Sequence, residues 1–195
     1  MTDSHSIYLV LDMENDLVHA DGPNGQGAYG EQVRQRDILA NTRRALDKAR
    51  AAGLRVGYVR VGFSPDYAEC PPNSPIFGGA KARGIFKLGS WGTEVHPDIA
   101  PQPGDFDIVK HRVSPFYSTQ LEAILRGRDV RRIYCSGIST NAVVQAAVRD
   151  GHDRDFEMVV LEDCCCALSA EEHAAAMSNL QRFCRVTTSR DVRFD

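Results

Sequence analysis

The chain has no apolar run long enough to cross a bilayer, no surplus of positive charge and no Cys-x-x-Cys pair. Each gap removes a class of function. A membrane span needs about 20 consecutive apolar residues, so a membrane is not an expected partner. Lys and Arg number 23 against 26 Asp and Glu, a net charge of -3. Nothing there grips a phosphate backbone, so nucleic acid is not an expected partner either. The polar N-terminal segment Met1–Ser6 lacks a basic stretch ahead of an apolar one. No secretion signal is expected from it, and the expected compartment is the cytoplasm, where thiols stay reduced. The cysteines at 70, 135, 164, 165, 166 and 184 and the histidines at 5, 19, 96, 111, 152 and 173 show no metal-ligand spacing. Cys164–Cys166 reads as small half-buried residues following a strand. Neighbours in an extended segment point to opposite faces, so three in a row do not converge on one ion. No metal and no cofactor are expected.

What is present is an ordinary folding composition, 43% hydrophobic and 25% charged over 195 residues. It implies a single domain over residues 1–195. Short apolar runs predict strands at 6–12, 54–61, 106–110, 132–137, 157–162 and 185–188. Helical spacing of Val33, Ile38, Leu39, Ala45, Leu46 and Ala49 predicts a helix that Gly53 stops. Capping boxes at Thr119–Glu122 and Ser169–Glu172 open two more helices, and another is read at 141–153. Strands alternating with helices imply an α/β fold with a parallel sheet, helices on both faces and a doubly wound, Rossmann-like strand order 3-2-1-4-5-6. The Pro- and Gly-rich stretch 62–104 is too long for a plain connection and predicts a lid or an interface.

In such a sheet, ligands bind beyond the carboxyl ends of the strands at the switch point. Asp12 ends the first strand after an apolar run, where partial desolvation suits a carboxyl to acid–base work. Taken alone it reads first as a strand-end acid capping a turn. Lys110 ends the third strand and could hold Asp12 ionised or stabilise developing negative charge; a solvated lysine is the plain alternative. Gly137-Ile-Ser-Thr-Asn141 joins the fourth strand to a helix whose backbone N–H groups could hold an oxyanion. The three features converge on one crevice.

These pieces, taken in order, resemble the isochorismatase-like hydrolases, the cysteine hydrolase family. The matching segments are Leu9-Val-Leu-Asp12-Met-Glu-Asn, Gly89-Ser-Trp-Gly-Thr-Glu-Val-His-Pro, Pro103-Gly-Asp105, Val109-Lys-His-Arg-Val-Ser-Pro-Phe116, Gly137-Ile-Ser-Thr-Asn141 and Val160-Leu-Glu-Asp163. The resemblance implies a three-layer α/β/α sandwich with a mostly parallel six-stranded sheet. It makes Asp12 the acid/base and Lys110 its partner. It makes the Ile138–Ser139 peptide cis and turns the backbone N–H groups of Ser139 and Val143 toward a small-molecule substrate. It also implies a homodimer or homotetramer. In that stretch of loop, Phe63, Tyr67, Ile76, Phe77, Ile85 and Phe86 are expected to be exposed enough to meet another subunit.

One position departs from the family. Its amide hydrolases carry a nucleophilic cysteine six residues after Gly137, and here that residue is Val143. Valine offers neither nucleophile nor proton, so a thioester route through it is closed. Isochorismatases proper also lack the cysteine and cleave a vinyl ether by protonation. Three readings stay open: a hydrolase without a covalent intermediate, a relative that binds without turnover, and a cysteine amidohydrolase whose nucleophile has been replaced. Arg83-Gly-Ile-Phe loosely resembles a segment that holds substrate carboxylates. Phe63, Trp91 and Phe116 are candidate pocket walls, with core packing as the alternative. The family's metal-binding variant has Asp-x-His after the second strand, where this chain reads Arg60-Val-Gly-Phe-Ser. His111 is expected to face away from Lys110 as a structural residue, and Asn141 to cap its helix.

Overall fold

Every residue of β1 (Ser6–Leu11) is buried, because the strand lies mid-sheet with helices on both sides. Tyr8 and Val10 point into one apolar core, and Ile7, Leu9 and Leu11 into the other. That two-sided burial explains why the run is continuously apolar instead of alternating. The computed structural model describes residues 5–195; Met1–Ser4 of the polar N-terminal segment lie outside the described residues.

Six parallel strands form one sheet in the order β3-β2-β1-β4-β5-β6. The others are β2 (Arg55–Val61), β3 (Phe106–Lys110), β4 (Arg132–Ile138), β5 (Glu157–Cys166) and β6 (Arg185–Thr187). A short α1 (Asn15–Val18), then α2 (Ala28–Gln35) and α3 (Ile38–Ala51), cover the first core. After α4 (Ala80–Arg83), the helices α5 (Leu121–Gly127), α6 (Gln145–His152) and α7 (Ala170–Leu180) cover the second. Among the described residues no helix is long and apolar enough to cross a membrane.

Three expectations need correction. The single helix predicted across Val33–Ala49 is two, because Asp37 adopts a left-handed backbone (φ 51°) between α2 and α3. Aspartate tolerates that conformation better than most residues, and apolar spacing does not register it. The cysteine triplet does not follow the fifth strand but continues it to Cys166, with Cys164 and Cys166 in one core and Cys165 in the other. Its register with β4 shifts between Cys135 and Gly137. The aromatic loop does not expose the surface expected of it. Phe63, Tyr67, Phe77, Ile85 and Phe86 are buried within the chain, and of that set only Ile76 is exposed, at 56%. The loop folds back over the sheet end, with Phe63 bonded through its N–H to the Phe86 carbonyl and through its carbonyl to the Leu88 N–H. These aromatics therefore give no reason of their own to expect a second subunit.

Candidate active site

The strand order brings the ends of β3, β1 and β4 to one side of the sheet. Gly137 allows β1 and β4 to approach there, since a Cβ at that position would lie 2.3 Å from the Leu11 carbonyl oxygen. Asp12 continues β1 by one bond, its N–H donating to the Val59 carbonyl at 2.8 Å, and then turns the chain with φ 53°. Its carboxylate meets Lys110 Nζ at 2.8 Å, and both side chains are almost completely buried. Lys110 reaches across β2, roughly two strand spacings or about 10 Å, on its four-carbon stem. Its ammonium also donates to the Arg112 carbonyl at 3.0 Å. Burial pushes the Asp12 carboxyl above its ordinary range, and the Lys110 charge and hydrogen bond pull it back. The second Asp12 oxygen, Oδ1, has no hydrogen-bond partner among the described residues.

A cavity of about 260 Å³ opens beside this pair. Asp12, Lys110, Ile138, Ser139, Val143 and Arg83 all line it. Val143 sits in a π turn, Thr140–Val144, that precedes α6. The Ile138–Ser139 peptide is cis. No cysteine lines the cavity. Arg83 stands at the mouth and donates to Asn24 Oδ1 at 3.0 Å. Among the described residues, no group of three or more His, Cys, Asp or Glu could hold a metal ion.

Three expected wall residues are elsewhere. Phe63 is fully buried but packs against Tyr67, Phe77 and His111. Trp91 is 46% exposed and meets the His19 ring in a T-shaped contact. Phe116 belongs to the second core, stacked on Phe156 under the Arg154 guanidinium. Phe63 and Phe116, aromatics near site motifs in sequence, are taken up by core packing, while Trp91 stays half exposed at the surface. Tyr29, Asn24 and Ile76 line the cavity instead; they come from α2 and two loops, and no local pattern marks them. His111 bonds the Gly62 carbonyl through Nδ1 at 2.6 Å, and Asn141 donates to Glu172 instead of capping a helix.

The π turn is braced from behind. The Thr140 hydroxyl pairs with His173 Nδ1 at 2.8 Å, and His173 Nε2 with Glu162 at 2.7 Å. Arg36 joins the same carboxylate. His173 and Arg36 pull the Glu162 carboxyl down to about 2. A carboxyl lowered in the folded state stabilises fully above its unfolded value of about 4.3, and that contribution disappears as pH falls toward the folded one. Glu162→Gln is therefore expected to flatten the loss of thermal stability between pH 4 and pH 2. Parallel acid limbs for the two proteins in pH-resolved melts would refute this.

The family model described as Isochorismatase domain matches residues 6–191. The chain belongs to the isochorismatase family. It is 30% identical over 192 residues to the ureidoacrylate amidohydrolase RutB of Enterobacter sp. (strain 638), covering 92% of this chain and 83% of that protein. Among solved structures, a cysteine hydrolase from Pseudomonas syringae pv. phaseolicola 1448A superimposes with a TM-score of 0.85 at 24% identity, over 98% of this chain and 92% of its own. The N-carbamoylsarcosine amidase of Thermoplasma acidophilum gives 0.73 at 23% identity, over 96% and 98%. The isochorismatase family thus supplies hydrolase relatives that act on small molecules, together with a shared fold.

Proposed function

We propose that this isochorismatase-family protein is a small-molecule hydrolase that works without a covalent cysteine intermediate, with Asp12 as acid/base and Lys110 as its electrostatic partner. The observation that carries the reading is the buried Asp12–Lys110 pair on a cavity whose wall holds Val143 and no thiol. The substrate class is a small ureido or other amide compound, in keeping with the activities named for the relatives. A carboxylate on that substrate would meet Arg83 and Asn24 at the mouth.

In this mechanism Lys110 holds Asp12 ionised in the free site, against the effect of burial. Asp12 takes a proton from water as the water oxygen adds to the substrate carbonyl. The N–H groups of Ser139 and Val143 stabilise the oxyanion. Asp12 then returns the proton to the leaving nitrogen as the C–N bond breaks. None of these steps needs a side-chain nucleophile. The thiols of Cys135, Cys164 and Cys165 are buried and pushed up by that burial, and the nucleophile is the thiolate.

A panel of ureido acids, simple amides and vinyl ethers tests the reading. Turnover of a ureido acid or amide that survives complete alkylation of accessible thiols is the expected result. Turnover of vinyl ethers alone would replace water attack by protonation from Asp12. Binding of panel members without any turnover would leave a non-catalytic relative. Amidase activity that appears only in Val143→Cys would mark a scaffold whose nucleophile has been replaced.

A further inference from the structure

Glu14 lies two residues beyond Asp12, is fully buried, and takes no part in the steps above. Its Oε2 accepts the Val61 N–H at 3.2 Å, while Oε1 has no hydrogen-bond partner among the described residues. Val61 at the end of β2 flanks it on one side, and Val95, with which it forms an isolated antiparallel bridge, on another. The charged groups that act on it are Asp12 from the end of β1, Lys110 from β3 and Arg60 from β2. Arg60 is engaged elsewhere: it donates to both oxygens of Asp107, at 2.8 and 2.6 Å, and to the Thr93 carbonyl, and Glu94 also faces it. Lys110 is engaged by Asp12 and the Arg112 carbonyl. Two buried carboxyls thus share one buried ammonium that touches only one of them.

Two buried carboxylates that act on each other, with one ammonium bonded to only one of them and the nearby guanidinium bonded to a third acid, cannot both stay ionised cheaply in a water-poor space. The geometry decides which one keeps the charge. We propose that Glu14 is a positioning residue that works as a neutral carboxylic acid, two residues along the chain from Asp12, leaving the one buried cation committed to Asp12. Burial and the Asp12 charge push the Glu14 carboxyl well above the ordinary range, and Lys110 and Arg60 only partly offset them. The value of this arrangement for turnover rests on the hydrolase reading; the proton on Glu14 does not.

Infrared difference spectra of wild type minus Glu14→Gln at pH 7 test it directly. The expected spectrum has a protonated-carboxyl band and no carboxylate pair. A carboxylate pair in the difference, or a protonated band equally strong in both proteins, would overturn the proposal. Thermal melts supply a second readout. A carboxyl raised in the folded state stabilises fully below its unfolded value of about 4.3, and that contribution is lost as pH rises through the folded one. Glu14→Gln is therefore expected to gain on wild type by roughly 3–5 °C per pH unit across that window. Parallel curves, or a Glu14→Gln protein that cannot fold, would count against a neutral acid. Neither readout uses a substrate, so failure of the hydrolase reading and failure of this one are told apart.

Discussion

Replacing Asp12 with asparagine is expected to lower turnover of any accepted substrate about a hundred- to ten-thousand-fold, the usual contribution of a positioned acid or base. Asparagine keeps the shape of the side chain and can still accept from Lys110, but it cannot exchange a proton. The loss should fall on kcat, with KM little changed, because the mouth residues Arg83 and Asn24 are untouched. The rate has to be normalised to the folded fraction by circular dichroism, since the variant leaves an ammonium buried without its counter-charge. Asp12→Asn with turnover within about threefold of wild type would remove Asp12 from the mechanism and with it the proposed reaction.

What could be read from the sequence follows from how local each signal is. The strand order was legible because βα alternation and right-handed crossovers leave few arrangements. Asp12 and Lys110 were legible because each ends an apolar run, and in a parallel sheet such ends share one edge. Their contact was not, since it depends on a lysine reaching across the intervening strand. Phe63, Trp91 and Phe116 misled because an aromatic beside a motif can turn to the cavity, to a core as Phe63 and Phe116 do, or to the surface as Trp91 does, and the local sequence does not say which. Tyr29 and Asn24 were invisible because they arrive from α2 and a loop, and no local pattern marks either for the cavity. Glu14 stood in a quoted motif, with carboxyls at 12, 14 and 16 directly after a buried strand. That crowding of acids was the available signal, and its weight comes only from seeing that one cation serves two of them.

Lys110→Met is expected to destabilise the fold by about 3–5 kcal/mol, the usual result of removing one partner of a buried ion pair. Methionine has nearly the length of the lysine stem, so packing across β2 is kept and the change is chiefly one of charge. For a chain of this size the loss corresponds to roughly 6–20 °C in Tm. The remaining carboxyls at Asp12 and Glu14 would then have no buried cation. Both should bind protons more readily, so the deficit should grow as pH rises from the unfolded carboxyl range toward neutrality. The double variant Asp12→Asn with Lys110→Met removes the stranded charge and should recover part of the stability but none of the turnover. Denaturant titrations of the wild type, the two single variants and the double variant measure that coupling directly. Additive losses, or a Lys110→Met protein within about 1 kcal/mol of wild type, would mean that the 2.8 Å contact does not set the charge of Asp12. Lys110 would then be only a filler of the sheet end.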